Sequence, residues 1–139
     1  MNVLFDSSAL FKRYSGEVGA QRVMALQQGA TTVTVAAHCR TELASALSRQ
    51  WRDRLLTDQE YDRLLGEIDR DFEELHVLPL SLQVEQHAIA AMRRSVLCAM
   101  EALHIGTARV AHVDLFVTAD RRQAQAAQAL GLDTEWIEA

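Results

Sequence analysis

The chain has 139 residues, 49% of them hydrophobic, with one proline, six glycines and a formal charge of −5. That length suits a single domain, 1–139, able to bury roughly two-thirds of its unfolded surface and to fold without disulfide or metal. No apolar run nears the roughly 20 residues of a membrane span, no basic stretch and long apolar segment mark a secretory leader, and two widely spaced cysteines, Cys39 and Cys98, read as buried thiols of a reducing compartment, so the cytoplasm is the expected location.

Asn2–Phe5 is strand-like, and Ser7–Tyr14 and Glu17–Gln28 follow as helices, the second closed by Gly29. The β-branched run Thr31–Val35 predicts a strand. Ala37 to Arg54 is a long helix whose apolar stripe, Cys39, Leu43, Ala46 and Leu47, is spaced by threes and fours. Thr57-Asp58-Gln59-Glu60 is a capping box opening a helix that ends near Leu75. His76–Leu80 is a short strand, and Ser81 caps a helix running to Arg94. Met100–Ala111 is helical, Asp114–Thr118 is a strand, and Asp120 caps a helix ending at Gly131. Glu135–Ile137 closes the chain as a strand. Strands alternating with one or two helices predict a three-layer α/β/α sandwich around a mainly parallel sheet. No repeat, linker or low-complexity tract interrupts the pattern.

The negative charge is concentrated. Residues 53–75 carry −6, so the other 116 residues sum to +1 and net charge excludes no anionic partner. Thirteen of the fourteen basic residues are arginine, suited to bidentate contact with carboxylate or phosphate.

Four acids carry the chemistry. In open parallel sheets, ligands bind beyond the carboxyl ends of the strands. Asp6 is the first residue after strand one, and Asp120 lies two residues past the strand ending at Thr118. Glu42 and Glu101 flank the apolar stripes of their helices. Each acid alone has another explanation: Asp6 and Asp120 are natural helix caps, and Glu42 and Glu101 suit a helix boundary. Taken together, carboxylates crowded at one sheet edge raise one another's pKa values unless a cation neutralises them. An all-oxygen set points to Mg²⁺ or Mn²⁺. The histidines show neither HxxxH nor HExxH spacing, which speaks against zinc, and His104, one turn after Glu101, reads as packed or capping.

The blocks DSSAL at 6–10, RTELASAL at 40–47, AMEALHIGTA at 99–108 and FVTADRR at 116–122 resemble, in order and spacing, the motifs of PIN-domain ribonucleases, above all the VapC toxins of bacterial toxin–antitoxin pairs. The resemblance implies that Asp6, Glu42, Glu101 and Asp120 form the metal-binding quartet, with Ser8 and Thr118 at the hydroxyl positions beside it. It further implies a VapB-like antitoxin, homodimers, and cleavage of RNA that leaves a 5′-phosphate and a 3′-hydroxyl. One position departs from the pattern: the third acid is usually aspartate, and here it is Glu101.

Lys12, Arg13, Arg121 and Arg122 are the expected phosphate contacts, with Arg40 and Arg109 as lesser candidates that equally suit internal ion pairs. Trp51, Leu55, Leu64, Leu65 and Phe72 are expected to be mostly core, with some left over as a patch for a second protomer or an antitoxin. Three rival readings stand beside this one. A receiver-like phosphoacceptor domain needs a lysine after a late strand, but Lys12 is the only lysine. A haloacid-dehalogenase-like phosphatase needs an aspartate where Ser8 stands. A catalytically weak or inactive PIN-like module acting as an interaction partner is the alternative to which Glu101 gives weight.

Overall fold

A computed structural model describes residues 1–138. Five strands form one sheet in the order β3-β2-β1-β4-β5: β1 (Asn2–Phe5), β2 (Thr32–Ala36), β3 (His76–Leu78), β4 (Leu115–Thr118) and β5 (Thr134–Trp136). All four pairings are parallel, so the sheet is wholly rather than mainly parallel. Seven helices connect the strands among the described residues: α1 (Ser7–Ser15), α2 (Ala20–Gly29), α3 (Cys39–Arg52), α4 (Asp58–Phe72), α5 (Leu82–Arg94), α6 (Ala99–Val110) and α7 (Arg121–Ala129).

Side-chain alternation explains the three layers. Along β1, Val3 and Phe5 join a core with α1 to α4, whereas Leu4 joins a second core with α5, α6 and α7. On β4, Val117 and Phe116 divide the same way. A strand buried on both faces must be apolar at successive positions, which is why Val3-Leu4-Phe5 does not alternate with polar residues. The sheet stops being apolar where it ends, and Asp6 is the residue at that end.

Several boundaries moved for identifiable reasons. The expected Glu17 start of the second helix shifts to Ala20 because Gly19 sits at φ +100°, outside helical space, and a Cβ there would meet Ile137 at 2.5 Å. β3 stops at Leu78 because the next residue, Pro79, has no amide to donate. α3 begins at Cys39, and Arg54, at φ 61°, turns the chain after it. The capping box formed as read: Glu60 N donates to Thr57 Oγ1 at 3.0 Å and Thr57 N donates to Glu60 Oε1 at 2.9 Å.

One expectation needs correction, that both cysteines are buried. Cys39 is buried and its thiol is pushed up to about 12 by burial, but Cys98 is exposed at the N-cap of α6. In the acidic segment, Leu64 and Phe72 are core, while Trp51 and Leu55 are exposed. No described helix is long and apolar enough to cross a membrane.

α5 and α6 approach closely at Gly106, where an added Cβ would lie 2.5 Å from Val84 O and 3.0 Å from Ala88 N. Both neighbours are backbone and cannot rotate away. Gly106→Ala should therefore lower stability by about 1–3 kcal/mol, seen as a lower urea midpoint with an unchanged m-value.

Candidate functional site

The carboxyl edge of β1 and β4 is built around Asp6. Its backbone leaves β1 extended and its side chain caps α1, accepting from Ala9 N at 2.9 Å and from Ser8 Oγ at 2.7 Å through Oδ1. The second oxygen, Oδ2, accepts from Thr118 Oγ1 at 2.5 Å. Only 1% of Asp6 is exposed. Burial raises its pKa, against the lowering effects of His104 and of the donors Thr118, Ala9 and Ser8. Asp6 is thus both a helix cap and a desolvated carboxylate.

Glu42 stands beside it in the first turn of α3. Its Oε1 accepts from Ser7 Oγ at 2.7 Å and from His104 Nε2 at 2.7 Å, and His38 Nε2 lies 3.3 Å away. Burial pushes the Glu42 carboxyl up, but the hydrogen bonds and charges of His104, Ser7 and His38 outweigh it and hold the group below its ordinary value. The His38 and His104 rings lie 4.3 Å apart, centre to centre. Burial and the neighbouring His104 hold the His38 pKa down, and its Nε2 also donates to Met100 O at 3.0 Å. His104 is 3% exposed, and its Nδ1 has no partner among the described residues.

Glu101 and Asp120 form the other half. Glu101 accepts from Cys98 N at 2.9 Å, closing the start of α6, and Arg122 Nη2 bridges its two oxygens at 3.2 Å each. Its desolvation is outweighed by the bonds from Cys98 and the Arg122 guanidinium, leaving the carboxyl below its usual range. Asp120 Oδ1 caps α7, accepting from Arg122 N and Gln123 N at 2.9 and 3.2 Å. Gln123, buried, donates to Glu101 O at 2.7 Å and ties α7 to α6. Thr118 joins the halves: its hydroxyl donates to Asp6 and accepts from Asp120 N at 3.0 Å.

All four predicted acids lie at one edge, but not in one tight nest. Among the described residues, the only three ligand-type groups with atoms within 4.8 Å of one another are His38, Glu42 and His104. Two Nε2 atoms in this trio already face oxygen acceptors, so in this state they clamp Glu42 and do not present lone pairs. The four acids thus lie in two adjoining halves, Glu42 held by histidine hydrogen bonds and Glu101 by the Arg122 guanidinium.

The basic candidates separate sharply. Lys12 is 4% exposed, with Nζ 3.7 Å from Glu17, so it is not the free phosphate contact expected; its stem packs beside Gly19. Arg13 is likewise engaged, by Gln27 at 2.9 Å and Asp71 at 3.5 Å. Arg122 is held by Glu101, whereas Arg121 is exposed, its guanidinium 5.7 Å from the centre of the Trp136 ring. Arg40 pairs with Asp69, and Arg109 donates to Leu130 O.

Reading the sequence missed Ser7, His38, Gln123 and the partnership of His104 with Glu42 rather than Glu101. His38 and Glu42 are four apart on one helical turn, a spacing that signals shared chemistry. Nothing local linked His104 to them, because the contact crosses 62 residues. A separate hollow of about 500 Å³, lined in part by Thr32, Glu74 and His76, opens at the amino edge of the sheet, remote from these acids.

A family model described as PIN domain matches residues 3–129. The chain is 30% identical over 135 residues to "Ribonuclease VapC45" of Mycobacterium tuberculosis, covering 93% of this chain and 91% of that protein. Among solved structures it superimposes with a TM-score of 0.70 on VapBC2 from Rickettsia felis bound to a promoter DNA fragment, at 11% identity, covering 97% of this chain and 98% of that one. Mycobacterium tuberculosis VapC20, a toxin that cleaves the sarcin-ricin loop, gives 0.69 at 14% identity, with coverage of 94% and 95%.

Asp6 supplies a test of the site's electrostatics. A carboxylate raised by burial binds its proton more tightly folded than unfolded, so its contribution to stability falls as pH climbs from its ordinary 3.8 through the folded value. Asp6→Asn should raise the melting temperature of the metal-free protein at pH 7. The gain should shrink towards pH 4 (calorimetric melts across that range report it).

Proposed function

The chain belongs to the PIN-domain family, and we propose that it is a metal-dependent endoribonuclease acting as the toxin of a toxin–antitoxin pair. The single observation that carries this reading is the buried, capped carboxylate of Asp6, joined through Thr118 to Asp120 at the carboxyl edge of a parallel sheet. A VapB-like antitoxin is its protein partner, and a homodimer is the assembly proposed.

The donor set fits a hard divalent cation. It offers four carboxylates and two hydroxyls, with His38 and His104 turned onto Glu42, and Asp6, stripped of water, gains most from a nearby positive charge. A guanidinium already spans the Glu101 oxygens, so that edge attracts positive charge. Asp6 and Glu42 would hold the ion near the scissile phosphate, with Glu101 and Asp120 completing its shell or holding a second. Mg²⁺ or Mn²⁺, when bound, neutralises charge on the phosphoryl oxygens and acidifies a water molecule.

The chain's own residues do the rest. Ser7 and His104 fix Glu42 through Oε1 and leave Oε2 free of their hydrogen bonds. Ser8 and Thr118 orient both oxygens of Asp6. One carboxylate of the four takes the proton of the attacking water. That water opens the P–O3′ bond in line, leaving a 5′-phosphate and a 3′-hydroxyl. Arg121 and Arg122 contact phosphate, Arg122 once it releases Glu101.

The inactive-module reading has one supporting observation, the Arg122 fork on a glutamate where aspartate is usual. Calorimetric Mg²⁺ and Mn²⁺ titrations, followed by cleavage of a structured RNA in each ion, decide between the two. Asp6→Ala should cut cleavage at least about 100-fold with the fold intact. Glu101→Asp should retain or raise cleavage in Mg²⁺. Unchanged cleavage in a folded Glu101→Ala protein would remove Glu101 from the site.

A further inference from the structure

We infer that Trp136, with Arg121, is a stacking platform for an unpaired nucleobase beside the scissile phosphate. This deepens the ribonuclease reading and rests on it for the location of that phosphate.

Placement comes from the sheet. β5 pairs in parallel with β4, and Trp136 is the register partner of Thr118, the residue whose hydroxyl holds Asp6. Register partners on adjacent strands are about 5 Å apart and point to the same face. Trp136 Nε1 donates to Ala119 O at 3.4 Å, which anchors the indole next to Asp120. The residue is nevertheless 37% exposed at the sheet's edge.

The contrast with Trp51 shows what Trp136 lacks. Trp51 stacks on Tyr61 at 5.0 Å with planes 14° apart, and its N–H reaches Asp58. Trp136 has an anchored N–H but no aromatic partner among the described residues; a guanidinium faces it instead. An exposed indole, an arginine and a neighbouring carboxylate site make the combination that holds a splayed-out base while pairing its phosphate. A base locked in a duplex cannot offer its face to such a ring.

The test uses a Trp51→Phe protein, which leaves Trp136 as the sole tryptophan, in chelator so that nothing is cleaved. A short single-stranded RNA should quench its emission saturably, whereas the same RNA annealed to its complement, or lacking bases, should not. Trp136→Ala should weaken single-strand binding about tenfold and raise KM more than it lowers kcat in metal; Trp136→Phe should recover most of the affinity. Absence of quenching together with unchanged affinity in Trp136→Ala overturns the platform. So does quenching by an antitoxin peptide but not by RNA, which marks the ring as a protein contact. Quenching without cleavage in Mn²⁺ supports the platform while sinking the nuclease. Cleavage without quenching does the reverse.

Discussion

Burying an ionisable group at the end of the central strand is the constraint around which this protein is organised. Asp6 ends β1, the one strand with neighbours on both sides that are themselves paired onward. Three donors, from α1 and β4, converge on its carboxylate. Remove the carboxylate and those donors lose their acceptor in a dry place. Keep it, and a negative charge sits where water cannot solvate it. Stability and chemistry pull in opposite directions at this residue, the pattern expected where a fold carries an active site.

The surrounding charges show how the chain lives with that conflict. Glu42 is balanced by two histidines, and Glu101 by Arg122. Each half of the site therefore has its own internal hydrogen-bond donors. The extra methylene of Glu101 has a visible use, since one carboxylate both closes the first turn of α6 and accepts the arginine fork. An incoming cation has to compete with a partner already present, and the two halves face different competitors.

Much of this was legible in the residues. The doubly buried strands, the Thr57 capping box and the caps at Asp6, Ser81 and Asp120 are local signals, and each formed. The sheet-edge location of Asp6 and Asp120 followed from strand ends, whereas Glu42 and Glu101, on helices, joined them only through the family resemblance. The failures share one cause: they depend on contacts between distant segments. The Glu42–His104 bond spans 62 residues, and the Arg122–Glu101 fork depends on how α7 lies against α6. Lys12 looked like a surface cation because its helix position gives no hint that Glu17 and the turn at Gly19 enclose it.

The bond between Asp6 and Thr118 joins residues 112 positions apart. Because β1 pairs with β2 and β4, its second neighbour is the penultimate strand of the sheet to be synthesised. A parallel partner that distant is reached late, after the loop-closure entropy of the whole chain has been met. Until β4 docks beside β1, the Asp6 carboxylate lacks its Thr118 donor, so the acidic edge is completed only when these two distant segments meet.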